Sequence, residues 1–216
     1  MKVITIAAVA IAVGITARAD QVTVHVQDPP VVSLQVNSRL VVYVARQGDV
    51  PAMIVRTSKD LAVKILRNVG IDVEWRSGDP TPNVLLTEQP VIVKVVSDQR
   101  VSGPPGVLAY AMPYEGAQIR VLYHRIARNH PEEYEAQVVL AYVLVHEIAH
   151  LLQGVARHSD SGIMKKLWAP CDIWAMRTGK LSFEPLDLEL IRDGLTKRAL
   201  MPATRVTPGR SSDVGF

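Results

Sequence analysis

The sequence predicts an α+β fold, in which several short β-strands accompany one long helix that is buried on every side. Three observations predict it. Runs rich in β-branched residues recur along the first 123 residues, segment 138–145 is apolar all round, and a second helix-like segment lies near the end of the chain. A helix without a polar face belongs in a protein core. The composition, 48% hydrophobic and 21% charged, excludes a largely disordered protein.

The N-terminal part of the chain carries strand signals and then a helix signal. Valines alternate with polar residues over 22–26, and apolar runs cover 31–36 and 40–45, which predicts strands. Pro51 suits the first turn of a helix because its missing N–H is not needed there, and Gly70 suits the helix end. We therefore predict a helix between these two residues.

Four further strands are predicted before the long helix. Apolar residues alternate over 71–75 and are nearly continuous over 91–96, and the Pro-rich segment 79–83 between them predicts a loop. Two short strand candidates follow at 107–112 and 119–123.

The long helix and a final helix occupy the C-terminal half. The long helix is predicted to begin at Pro131, where two glutamates follow and complement the positive end of the helix dipole. It should run to about Gln153, with Gly154 as its end. The last helix is predicted over 185–200.

Residues 1–19 resemble a secretory signal peptide. Lys2 precedes the apolar run 3–15, and Ala17-Arg18-Ala19 offers small residues at a cleavage site. The run is short for a bilayer span, so no stable membrane span is expected after cleavage. A buried N-terminal strand or a short anchor are the alternatives. We predict cleavage after Ala19 and a secreted or periplasmic protein.

The mature chain is predicted to form one domain over residues 20–200, followed by a disordered tail over 201–216 that is rich in Pro, Gly and Ser. Without Lys2 and Arg18, its 22 basic residues nearly balance 21 acidic ones. With no concentrated basic stripe, no nucleic-acid partner is expected. Cys171, the single cysteine, excludes an internal disulfide framework and is expected to be buried.

The segment HEIAH over 146–150 carries the chemistry. On a helix, residues four apart differ by about 40° in azimuth and one turn in height, so His146 and His150 can bind one zinc ion. Glu147 lies beside them and can take a proton from a zinc-bound water. The alternative is a pair of surface histidines, which the apolar surroundings disfavour. Catalytic zinc needs one further protein ligand.

The segment HEIAHLLQGVARHSDSGIM over 146–164 resembles the metzincin zinc endopeptidases, whose pattern is HExxHxxGxxH followed by a methionine-containing turn. The resemblance implies a twisted mixed sheet with an antiparallel edge strand, an active-site helix, a Met turn and a C-terminal helix. It also implies zinc ligands His146, His150 and His158, general base Glu147, turn glycine Gly154 and Met-turn residue Met164.

Two features leave the third ligand open. Gly154 and His158 follow the second histidine by four and eight residues, where the family has three and six. In addition, Glu189 and Asp193 form an ExxxD pattern in the last helix. This pattern resembles the gluzincin-type metallopeptidases, in which such a glutamate is the third ligand. An exposed loop position for His158 and a solvated face for Glu189 are the ordinary alternatives.

The metzincin resemblance also implies a substrate-binding strand. Leu108, Ala109, Tyr110 and Ala111 fall where the family has its edge strand above the cleft. An unpaired strand edge binds an extended peptide through backbone hydrogen bonds. Trp168 and Trp174 follow the Met turn and are candidates for a pocket wall or for core packing.

The leading hypothesis is an exported zinc endopeptidase that cleaves extended peptide segments. One alternative is a zinc-binding interaction domain without catalytic activity, which the irregular spacing favours and the intact Glu147 disfavours. A gluzincin-type hydrolase with Glu189 as ligand is another. A hydrolase of peptidoglycan cross-links or other non-protein amides is a third alternative.

Overall fold

The computed structural model describes residues 38–101, 106–112 and 117–200, which form a mixed α/β structure with five strands and six helices. The strands are β1 Ser38–Gln47, β2 Ile71–Ser77, β3 Val91–Val96, β4 Ala109–Met112 and β5 Gln118–Leu122. The helices are α1 Ala52–Arg67, α2 Pro82–Glu88, α3 Tyr123–Asn129, α4 Glu133–Gln153, α5 Pro170–Arg177 and α6 Pro185–Leu200.

The five strands form one mixed sheet in the order β2-β1-β3-β5-β4. Neighbouring strands are parallel from β2 to β5, and β4 alone pairs antiparallel, with β5, at the sheet edge. The antiparallel edge strand expected at residues 108–111 is therefore present and begins at Ala109.

One face of the sheet packs against the helices. Side chains alternate between faces along a strand, so every second residue of β1, β3 and β5 points toward the core. The strand residues buried in this core are Leu40, Val42, Val44, Val91, Val93, Val95, Ile119 and Val121. Helices α1 and α4 pack against one another, and α4 contacts β4 and β5, so the sheet sets the position of α4.

Helix α4 is buried throughout its middle, as its sequence predicts. Every residue from Val138 to Ala149 is buried. Among the described helices, α4 alone is long and apolar enough to cross a membrane, but most of its surface is covered by the protein itself. The helix ends at Gly154, whose φ of +66° is the left-handed conformation that glycine adopts without strain.

Three short helices were not predicted by the sequence patterns. The predicted loop at 79–83 instead leads into α2, which begins at Pro82, and the predicted strand end at Tyr123 is the first residue of α3. Helix α5 begins at Pro170. Helices of seven or eight residues are too short to show a clear apolar period, whereas proline at the first helical position was an available signal for α2 and α5.

Helix α6 packs tightly against the end of α4. A β-carbon at Gly194 would lie 1.5 Å from the Leu152 carbonyl oxygen, so the two helices approach at a distance that only glycine permits. The predicted signal peptide at 1–19, the strands at 22–26 and 31–36, and the tail at 201–216 all lie outside the described residues.

Candidate metal centre

The last two turns of α4 supply the first part of the site. His146 and Glu147 are buried, and His150 is partly exposed one turn further on. The helix period places His146 and His150 on one face, with their Nε2 atoms 3.0 Å apart. The amide of Gly154 donates the last hydrogen bond of the helix, to the His150 carbonyl. The left-handed conformation of Gly154 then ends the helix and turns the chain back.

The loop after Gly154 returns His158 to the two helical histidines. The His158 Nε2 atom lies 3.3 Å from the His150 Nε2 atom. One ring nitrogen from each of the three histidines lies within 4.8 Å of the other two. The additional residues between His150 and His158 therefore do not prevent the three rings from converging.

Two of the three separations between the histidine nitrogens are close to those around a zinc ion. With Zn–N distances of about 2.0–2.1 Å and tetrahedral angles, ligand nitrogens lie about 3.3 Å apart. The two Nε2 separations of 3.0 and 3.3 Å are close to that value. Three imidazoles leave one tetrahedral position open. Three protein ligands with an open position are typical of a catalytic zinc site, whereas a structural site has four protein ligands.

His146 is oriented by two neighbours. Its Nδ1 lies 2.8 Å from the Ile163 carbonyl oxygen, so Nδ1 carries the proton and donates it, which leaves the Nε2 lone pair for a metal. Trp168 packs edge-on against the same ring, with 5.5 Å between ring centroids. Trp168 therefore contacts a candidate ligand, whereas Trp174 is largely exposed and lies under the Lys180 ammonium group.

All three histidines are held in the neutral form that binds metal. Burial lowers the pKa of His146 to about 4, against a smaller opposing effect of the Ile163 carbonyl. Burial also lowers the pKa of His150, and the nearby His158 adds to this effect. His158 is exposed, but the partial burial of its ring and then the Lys166 charge lower its pKa as well. Zinc can thus bind at neutral pH without displacing protons from these rings.

Glu147 is a buried carboxylate with an unusual proton affinity. Its side chain has lost nearly all its water contact, and burial raises its pKa to about 7. A backbone hydrogen bond from Ala111 opposes the shift and places β4 beside the carboxylate. A carboxylate with a pKa near neutrality can both accept and return a proton, which is the requirement for general acid–base catalysis.

The raised pKa of Glu147 predicts a pH-dependent gain in stability for Glu147→Gln in the metal-free protein. The folded group binds its proton below about pH 7 and the unfolded group below about 4.5, so ionising the buried carboxylate costs stability as pH rises between these values. Above pH 7 the full cost is on the order of 3 kcal/mol. Glutamine does not ionise and has no such cost.

Denaturant unfolding at pH 4.5 and pH 8 measures this effect. The variant should be clearly more stable than the parent at pH 8 and nearly equal to it at pH 4.5. Glu189→Gln is the control, because Glu189 is exposed and its carboxylate keeps its water on folding. Equal stability of Glu147→Gln and the parent at pH 8 would contradict the buried, ionised carboxylate.

The turn after His158 is tied to the same site. Met164 is fully buried, and its carbonyl accepts a hydrogen bond from the Ser159 amide at 2.9 Å. The Ile163 amide donates to the Ser182 carbonyl, so the turn is fastened to the segment before α6 as well. Met164 thus belongs to a compact turn next to the residue that orients His146.

The structure adds one buried charged residue that the sequence did not indicate. Asp187, in the first turn of α6, is fully buried and bonds to Arg157 and Ser159, the residues on either side of His158. In the sequence, Asp187 is simply an acidic residue early in a helix, which is a common feature. That feature does not indicate a partner such as Arg157, which lies 30 residues away.

Two other sequence candidates lie apart from the metal ligands. Glu189 is exposed on α6 and is not a member of the three-histidine cluster, so the geometry favours His158 as the third ligand. Cys171 was expected to be buried, and this was wrong: it is the second residue of α5 and is exposed as a free thiol. Pro170 and Cys171, the first two residues of α5, are both exposed.

Comparison with protein families gives no match to this chain, and comparison with curated proteins gives none either. Among solved structures, a zinc-dependent peptidase from Methanocorpusculum labreanum is similar with a TM-score of 0.48 and 14% identity, over 71% of this chain and 99% of that one. Metalloproteinase-II from Bacteroides fragilis is similar with a TM-score of 0.39 and 12% identity, over 68% of this chain and 54% of that one. We therefore infer function from this chain's own residues.

Proposed function

We propose that this protein is a zinc-dependent endopeptidase that hydrolyses peptide bonds in extended segments of its substrates. One observation carries the proposal: three histidine nitrogens converge at the end of a buried helix that also holds the buried Glu147. In the part of the chain that the structure describes, no charged group acts on the Glu147 carboxylate. Burying such a carboxylate costs stability, which favours a functional role for it.

His146, His150 and His158 would hold the ion. The convergence of their ring nitrogens and their neutral state suit zinc with one position left open. When bound there, zinc supplies a Lewis acid that polarises the substrate carbonyl and lowers the pKa of water. The hydrogen bond to the Ile163 carbonyl fixes the His146 ring and so keeps its Nε2 atom in place for the ion.

Glu147 would be the catalytic base. Its carboxylate would accept a proton from the attacking water and later deliver that proton to the leaving amine. The hydrogen bond from the Ala111 backbone helps to fix the carboxylate in position. The same group is thus poised for both proton transfers that amide hydrolysis requires.

The edge strand β4 would bind the substrate. In the described residues β4 pairs on one side only, with β5, so its other edge is available to a further strand. The contact between Ala111 and Glu147 brings this strand next to the catalytic base. A peptide added to the segment Leu108–Ala111 would therefore pass close to the metal.

A metzincin-like arrangement is part of this proposal. The turn at Gly154, the returning His158 and the buried Met164 support it, although the spacing between the histidines is longer than in the family pattern. We also propose export, with cleavage after Ala19, on the strength of the signal-like sequence at residues 1–19.

Metal analysis combined with cleavage of a mixed peptide library tests the function. The purified mature protein should bind about one zinc per chain and cut within peptides, and a chelator should stop cleavage until zinc is restored. His146→Ala is the matched inactive control. Zinc binding without any cleavage would favour a non-catalytic interaction domain, and an absence of zinc binding would overturn the proposal.

A further inference from the structure

The loop that carries His158 is fastened to one buried atom. Arg157 Nη1 and Ser159 Oγ each donate a hydrogen bond of 2.7 Å to the same Asp187 oxygen, Oδ1. These two residues are the immediate neighbours of His158 in the chain. The backbone is therefore anchored on both sides of the histidine by a carboxylate that has no exposed surface.

His158 needs such an anchor more than the other two candidate ligands do. His146 and His150 belong to a buried helix, whereas His158 is exposed and lies in a segment without helix or strand structure. A ligand on a free loop would have to be ordered each time metal binds, and this would weaken binding. Charge-assisted hydrogen bonds to a buried carboxylate are strong enough to hold the loop beforehand.

The anchor is itself fixed relative to the helical histidines. The second oxygen of Asp187 accepts a hydrogen bond from the Glu184 amide at 3.2 Å, which locks the carboxylate at the start of α6. Helix α6 in turn packs against the last turn of α4 through the close contact between Gly194 and Leu152. The position of the loop is thus fixed relative to α4, the helix that carries the other two ligands.

We propose that Asp187 is a positioning residue that holds His158 against His146 and His150, so that the long loop can complete the metal site. The inference rests on the proposed zinc function. It also explains how a return loop longer than the family pattern can deliver its histidine: the anchor acts next to the ligand, so the length of the loop before it matters little.

The chain contains a matched control. Asp172 is the third residue of α5, as Asp187 is of α6, and each follows a proline two positions earlier. Asp172 also accepts a backbone hydrogen bond from the residue three before it and pairs with a cation, Lys165, at 2.7 Å. Asp172→Asn therefore removes a helix-start charge and an ion pair whose side-chain partner is Lys165 rather than Arg157 or Ser159.

Zinc affinity, measured by competition with a chelator, tests the proposal. Asp187→Asn should weaken zinc binding by about 10–100-fold, the usual effect of removing a residue that orients a ligand. Asp172→Asn should change it much less. In a His158→Ala background, Asp187→Asn should cause no further loss, because a residue that acts through His158 has nothing left to position.

The outcomes separate the inference from the function. Zinc binding by the parent with unchanged affinity in Asp187→Asn overturns the inference alone, as does an additive loss in the double variant. A parent that binds no zinc overturns both. If Asp187→Asn does not fold, Ser159→Ala removes only the hydroxyl contact and should still weaken zinc binding, whereas unchanged affinity in that variant would overturn the inference.

Discussion

Glu147→Gln should leave the protein folded and able to bind zinc but lower peptide hydrolysis by at least about 10²–10⁴-fold, the usual contribution of general acid–base catalysis. The side chain is not one of the three converging donors, so its replacement should change zinc affinity little. Glutamine has nearly the same shape as glutamate, but it can neither take a proton from water nor return one to the leaving amine.

The comparison requires zinc content and cleavage rate to be measured on the same preparations. Glu147→Gln and the parent should contain equal zinc, and only the parent should cleave the peptide library. Glu189→Gln, an exposed glutamate on α6, should keep the parental rate. A Glu147→Gln variant that cleaves as fast as the parent would show that the proposed mechanism is wrong even when zinc is bound.

The same substitution is expected to stabilise the metal-free protein above pH 7. A loss of activity combined with a gain in stability is the behaviour of a functional group that a fold retains at a cost. It distinguishes Glu147 from Asp187, which is also buried and charged but is bonded to Arg157 and Ser159. Removing a paired buried charge destabilises, whereas removing an uncompensated one does the opposite.

The elements with strong local signals could be predicted from the sequence. Strand β3 covers the predicted 91–96 and helix α6 the predicted 185–200, because a continuous apolar run and a helix begun by proline are signals contained within the element itself. The placement of His146 beside His150 follows from the helix period alone, so this half of the site was predictable as well.

The other half of the site depends on contacts between distant segments. Whether His158 reaches the helical histidines is decided by Asp187, which lies 30 residues from Arg157 in the sequence. The Ile163 carbonyl that orients His146 is a backbone group, and no residue type identifies such a group in advance. A motif gave the candidate, but tertiary packing determines whether its ring converges with the others.

The sequence left two candidates for the third zinc ligand, and substitution of each should separate them. His158→Ala should lower zinc affinity by roughly 100-fold, while Glu189→Ala should leave it unchanged. Four-ligand zinc sites have apparent binding free energies of about 10–16 kcal/mol, so one ligand accounts for about 3 kcal/mol. At 1.4 kcal/mol per factor of ten, that is about two orders of magnitude in the dissociation constant.

His158 and Glu189 differ in their position relative to the helical histidines. The His158 Nε2 atom lies 3.3 Å from that of His150, whereas Glu189 is exposed on α6 outside the three-histidine cluster. Chelator competition on both variants and the parent gives the affinities, and circular dichroism confirms that each is folded. A loss of zinc in Glu189→Ala with normal affinity in His158→Ala would reverse the assignment and make the protein gluzincin-like, with its ligand from α6.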